Sequence, residues 1–132
     1  MKNLEYKIGK LRINPNRLEF QGTDSYESAH KFLVESLDNS ILIHVGEAVG
    51  HIKLGLRLNL PDEKIVGGGS CYLDKQENLV LDDYSGEYHA IPKEVAQRFV
   101  GLLQPEFEKT GVNVKGIIAN PRNWGLHSFW TE

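Results

Sequence analysis

The residues best suited to chemistry lie between positions 51 and 60, where polar and apolar side chains alternate. Aliphatic side chains occupy every second position: Ile52, Leu54, Leu56, Leu58 and Leu60. His51, Lys53 and Arg57 fall between them. Such alternation is typical of a strand that is buried on one face. It predicts a strand whose open face carries an imidazole, which titrates near neutral pH, beside two fixed positive charges that suit an anion.

A run of three glycines, Gly67-Gly68-Gly69, interrupts the next strand-like stretch, residues 64–74, whose predicted return strand is 79–84. Glycine is costly inside a strand because it loses much backbone freedom and packs no side chain. The run therefore predicts either a bulge or the close approach of another backbone or a ligand. It matches neither the dinucleotide nor the P-loop glycine pattern, and Ser70 lacks the following glycine of a nucleophile elbow.

The remaining reactive side chains give weaker signals. Cys71 is the only cysteine, so no internal disulfide can form, and a free cysteine of this kind is typically a small buried hydrophobe. His44, His51 and His89 could approach one another as zinc ligands, but their spacing is loose and no carboxylate accompanies them. We therefore predict no metal site and no cofactor. Asp82 and Asp83 are predicted to be solvated charges at a turn.

Residues 65–88 resemble the phosphohistidine phosphatase family, also called the Janus/Ocnus family. In that family a histidine-bearing strand precedes a strand that ends in three glycines and a basic residue. A hairpin then leads to Ser-x-x-Tyr-Gly, whose serine and amides hold phosphate. Here the glycine run and Ser85-Gly86-Glu87-Tyr88 match in type and nearly in spacing, and His51 is the candidate for the family histidine. Ser70 stands where the family has arginine, and His89 where it has glycine.

The resemblance implies a phosphatase-like protein in which His51 is the nucleophile or general base. The residues expected to bind phosphate are Ser85, Gly86, Glu87, Tyr88, Lys53, Arg57 and Ser70. The expected partner is a phosphorylated protein or a small phosphate. Because loss of the arginine weakens the stabilisation of a phosphoryl transition state, an alternative is a non-enzymatic module that binds a small ligand or a protein and has lost catalysis.

The elements that position these residues are predicted from periodicity. A strand begins at Leu4 and a turn at Asn14-Pro15-Asn16 leads to a short strand over 17–20. Helical spacing of apolar residues predicts a helix over 25–38, and strands follow over 41–45 and 112–118. A second helix starts at Pro92, kinks or breaks at Pro105 and is closed by Gly111. The expected fold is a single α+β domain over 1–132, with about six strands in a mostly antiparallel or mixed sheet and two principal helices.

Composition limits the classes of partner. Hydrophobic residues make up 40% of the 132 residues and charged residues 25%, which is typical of a globular domain. No apolar run approaches the roughly 20 residues needed to span a bilayer, and the N-terminus lacks the apolar centre of a signal peptide. We therefore expect a cytoplasmic protein. The net charge of −3, without a basic block, predicts neither a nucleic-acid nor a membrane partner, and the oligomeric state stays open.

Overall fold

In the part of the chain that the structure describes, six strands form one mixed sheet with a helix on each face. The computed structural model describes residues 4–12, 30–46, 50–83, 88–110 and 116–120. The strands are β1 (Glu5–Leu11), β2 (His30–Leu37), β3 (Ser40–Gly46), β4 (Ile65–Leu73), β5 (Asn78–Asp82) and β6 (Gly116–Ala119). The helices are α1 (His51–Arg57) and α2 (Lys93–Thr110), and a 3-10 turn spans Asp62–Lys64. The α+β class predicted from the sequence is confirmed.

The strand order across the sheet is β1-β3-β2-β4-β5-β6. The outer pairs, β1 with β3 and β5 with β6, are parallel, whereas the three inner pairs are antiparallel. α2 connects β5 to β6, as a crossover between parallel strands requires. The predicted turn at 14–16 and short strand at 17–20 lie outside the described residues.

The helix predicted over 25–38 is wrong for the part that the structure describes, because His30–Leu37 forms β2. β2 hydrogen-bonds to β3 on one side and to β4 on the other, and most of its side chains are buried on both faces. A strand in this position needs a continuous apolar run, which Phe32-Leu33-Val34 provides. The helical spacing of neighbouring apolar residues was therefore coincidental.

α2 covers one face of the sheet and forms the larger core. Phe99, Leu103 and Phe107 of this helix pack against Phe32 and other inward side chains of the strands. The helix predicted after Pro92 is confirmed, but it continues through Pro105 without a break. Its predicted closing residue, Gly111, lies outside the described residues.

α1 covers part of the opposite face and corrects the prediction of a strand over residues 51–60. Leu54 and Leu58 are buried against Leu33 and Ile65, whereas Ile52 and Leu56 are exposed. The helix ends where the amide of Leu60 donates to the Gly55 carbonyl and the amide of Asn59 donates to the Leu56 carbonyl. These two bonds form a Schellman motif, with Asn59 in the left-handed region at φ 57°.

Neither α1 nor α2, the helices of the described part of the chain, is long and apolar enough to cross a membrane.

Candidate functional site

A row of buried polar side chains crosses three strands on the face that α1 covers. Lys31 on β2 is the cross-strand partner of Ser70 on β4, and Ser70 is the partner of Asp82 on β5. Lys31 lies two residues before Leu33, which packs on α1, so strand alternation places the row on the α1 side. All three side chains are buried. A cluster of buried polar groups is a candidate for a binding or catalytic site.

His51, the first residue of α1, lies over the glycine strand next to this row. Its Nε2 is 2.8 Å from the carbonyl oxygen of Gly69, which can only accept a hydrogen bond. Nε2 therefore carries the hydrogen, and Nδ1 keeps its lone pair. A Cβ on Gly68 would lie 3.1 Å from the His51 ring, tighter than ordinary van der Waals contact, so the absence of a side chain at Gly68 makes room for the imidazole.

The environment of His51 keeps its imidazole neutral. The residue is only 5% exposed, and burial lowers its pKa to about 4. The hydrogen bond to Gly69 opposes this shift, whereas the positive charge of Lys31 adds to it. At neutral pH the ring is therefore a neutral base rather than a cation.

Tyr88 borders the imidazole of His51. Its ring meets the His51 ring edge-on, with 6.4 Å between centroids, and its hydroxyl donates to Asp62 at 2.7 Å. The next residue, His89, accepts a hydrogen bond from the Gly68 amide through its carbonyl at 3.1 Å. The histidine, the glycine strand and the tyrosine that carry the family resemblance are thus neighbours in space.

Other predicted phosphate-binding residues are not brought together with His51. Ser85, Gly86 and Glu87 lie outside the described residues. Lys53 and Arg57 are exposed on the outer side of α1, because in a helix Lys53 points about 200° around the axis from His51. The expectation that His51, Lys53 and Arg57 line one open face, with His51 accessible, is therefore wrong. Ser70 adjoins the site but is completely buried.

The glycine run has a structural explanation within β4. Val34 pairs with Gly67 and Glu35 with Ile65, so Val66 is an extra residue and the strand bulges beside the run. A Cβ on Gly69 would overlap the carbonyl oxygen of Asp82 and the Phe32 ring. Both the predicted bulge and the predicted approach of another backbone are present.

His44 and Cys71 serve the fold. The Nε2–H of His44 donates to Glu35 Oε1 at 2.9 Å, and its Nδ1 accepts from the Lys10 amide at 2.9 Å. Burial lowers the His44 pKa, although Glu35 opposes the shift. Cys71 is buried as predicted, and burial raises its pKa. Within the described ranges, no group of three or more histidine, cysteine or carboxylate side chains is arranged to hold a metal ion.

Sequence reasoning missed Lys31 and misjudged Asp82 and Asp83. The two aspartates are buried rather than solvated at a turn. Lys31 falls within the region predicted to be helical, so its burial in the sheet was not predicted. The signal that could have identified Lys31 is its place beside the apolar run Phe32-Leu33-Val34, because a lysine in a strand buried on both faces is itself buried, which is rare for lysine.

Comparison with protein families, curated proteins and solved structures finds no match to this chain.

Acidification is expected to destabilise the protein through His51. The unfolded chain binds a proton near pH 6.5, whereas folded His51 binds one only near pH 4, so stability is lost as pH falls between these values. Between pH 7 and pH 5 the free energy of unfolding should fall by about 2 kcal/mol from this residue, with His44 adding in the same direction. Urea unfolding across that range measures the loss. If the His51 ring titrates near pH 6.5 by NMR, the expected burial effect is absent.

Proposed function

We propose that this protein binds a phosphoryl group beside Nδ1 of His51 and hydrolyses it, in the manner of the phosphohistidine phosphatases that residues 65–88 resemble. The observation that carries the proposal is the convergence of His51, the glycine strand and Tyr88 at one place. These three features lie between positions 51 and 88 of the sequence, and the fold brings them together.

His51 has the protonation state that the reaction needs. Its Nε2–H is held by the Gly69 carbonyl, so Nδ1 carries the lone pair that the reaction would use. As a general base, Nδ1 takes a proton from water while the water oxygen attacks phosphorus, the bond to the leaving nitrogen or oxygen breaks, and the leaving group takes up a proton. As a nucleophile, Nδ1 itself bonds to phosphorus, and water later releases phosphate.

Lys31 supplies the positive charge that the family places at position 70. Ser70 replaces the family's arginine, and Lys31 lies directly across the strand pair from Ser70. Its ammonium is close enough to His51 to lower the pKa of that residue. A charge at this position can stabilise phosphoryl oxygens. The amides and side chains of residues 85–88 keep the phosphate-holding role that the sequence predicts, and Lys53 and Arg57 do not take part.

The second candidate is a binding module without turnover. The observation that favours it is the burial of the imidazole, which is 5% exposed and has a pKa of about 4. A base this weak removes protons from water poorly near neutral pH, because general-base catalysis is most effective when the pKa is close to the working pH. In this reading His51 and Tyr88 hold a phosphorylated protein or a small phosphate without cleaving it.

Phosphate binding separates these proposals from a purely structural role for the cluster. Titration with millimolar inorganic phosphate should move the backbone amide resonance of Tyr88 and the Nδ1 resonance of His51. It should also raise the His51 pKa, because a nearby dianion favours the imidazolium. Lys31→Met should weaken binding by at least about tenfold, since it removes a charge-assisted hydrogen bond.

Two further variants control this experiment. Lys31→Arg should retain most of the binding, and Lys75→Ala, in the exposed turn between β4 and β5, should leave it unchanged within about twofold. Binding accompanied by release of phosphate from a phosphoramidate supports the enzyme, whereas binding without release supports the module. If phosphate moves neither His51 nor Tyr88, both readings of the site are wrong.

A further inference from the structure

Asp62 begins the 3-10 turn that leads directly into the glycine strand. Two backbone hydrogen bonds close this turn: the amide of Lys64 donates to the Pro61 carbonyl at 3.0 Å, and the amide of Ile65 donates to the Asp62 carbonyl. Ile65 is the first residue of β4 and is buried in the small core under α1. The backbone of Asp62 is therefore fixed relative to the sheet, although the residue is exposed.

The side chain of Tyr88 connects this turn to the imidazole of His51. Its hydroxyl donates to Asp62 Oδ1 at 2.7 Å, the short distance that is typical of a hydroxyl bonded to a carboxylate. Its ring meets the His51 ring edge-on, with 6.4 Å between centroids, and packs against the small core that contains Leu54 and Ile65. The tyrosine is thus held by Asp62 at one end while its ring borders the histidine.

We infer that Asp62 is a positioning residue for the site beside His51, because its carboxylate holds the hydroxyl of Tyr88 and thereby fixes the tyrosine ring against the imidazole. This role rests on the proposed function, since it concerns the same phosphate site. The ring torsion of a tyrosine is broad, so a hydrogen bond at the far end of the side chain selects one orientation. The negative charge of Asp62 cannot itself attract phosphate, because like charges repel. The site therefore needs an acceptor oxygen at position 62 rather than a charge.

The first part of the test contains no phosphate and follows the His51 ring by NMR. In Asp62→Ala the tyrosine loses its anchor, so the ring-proton resonances of His51 should shift, and the His51 pKa should rise above about 4 because water reaches the imidazole more easily. Asp62→Asn keeps an oxygen that can accept from the Tyr88 hydroxyl, so both quantities should stay close to those of the parent. The matched control is Glu63→Ala, which removes the neighbouring exposed carboxylate of the same turn and should change neither.

The second part measures the affinity for inorganic phosphate by calorimetry. Asp62→Ala should weaken binding by about fivefold, the factor that one ordinary hydrogen bond contributes. Asp62→Asn and Glu63→Ala should each stay within about twofold of the parent. Tighter binding in both Asp62→Ala and Asp62→Asn would overturn the inference, because Asp62 would then act as a repelling charge.

Unchanged His51 resonances in Asp62→Ala would overturn it as well, whether or not phosphate binds. A parent protein that binds no phosphate, but whose His51 resonances respond to Asp62→Ala and not to Asp62→Asn, would give a different result. The proposed function would then be wrong, whereas the positioning of Tyr88 by Asp62 would be supported.

Discussion

Gly69→Ala is expected to lower the free energy of unfolding by at least about 3 kcal/mol, and the variant should be largely unfolded at physiological temperature. A Cβ at this position would overlap the carbonyl oxygen of Asp82 on β5 and the ring of Phe32 on β2. Neither neighbour can retreat easily. Phe32 is completely buried in the larger core, and the Asp82 carbonyl is part of the backbone of β5, which is paired with β4.

Gly101→Ala provides the matched control for Gly69→Ala. Gly101 is exposed in α2, and a Cβ there would meet nothing within 4 Å. Alanine in a helix should therefore stabilise the protein by about 0.5 to 1 kcal/mol. Chemical denaturation of both variants, followed by circular dichroism, gives the comparison. A Gly69→Ala protein as stable as the parent would contradict the packing described for β4.

His51→Gln is expected to reduce hydrolysis of a phosphoramidate by about 100-fold to 10,000-fold, the usual contribution of a positioned general base. The substitution is chosen because the glutamine Nε2 can still donate to the Gly69 carbonyl, which His51 contacts at 2.8 Å. The lone pair of Nδ1 is lost, but the hydrogen bond that anchors α1 to the glycine strand is kept. Turnover should therefore fall by this factor while phosphate still binds.

His44→Gln is the control for His51→Gln. His44 is equally buried and hydrogen-bonded, but its partners are Glu35 and the Lys10 amide. This variant should lose stability without changing kcat of the folded protein. Rapid-quench trapping of a phosphorylated enzyme would show whether His51 acts as nucleophile or base. Equal kcat for His51→Gln and the parent would remove His51 from the mechanism and leave only the binding module.

The elements predicted correctly from the sequence are those whose pattern has one interpretation. α2 follows Pro92 and carries an apolar stripe, and β4 and β5 are separated by a polar turn. The alternation over residues 51–60 fits either a strand or a helix. Apolar residues at every second position also include pairs four apart, which lie on one side of a helix. Leu54 with Leu58 is the buried pair of α1, and Ile52 with Leu56 is the exposed one. Asn59 before Pro61 was the helix-ending signal that would have distinguished the two.

The candidate site could be predicted only in part, because its members come together through pairing across the sheet. The sequence pointed to His51, the glycines and Tyr88 through motifs. Lys31 joins them because β2 lies beside β4, a pairing that no local pattern reveals. The roles of Lys53 and Arg57 were misjudged for the opposite reason. They are near His51 in the sequence, but the helix turns them away from it.

α1 is only seven residues long, and its first residue joins it to the glycine strand through the hydrogen bond between His51 and the Gly69 carbonyl. If phosphate binds beside His51 only in the folded protein, it must raise the free energy of unfolding by an amount set by its concentration and affinity, because binding and folding are thermodynamically linked. The midpoint of thermal unfolding would then rise with phosphate concentration, which measures occupancy without any need for turnover.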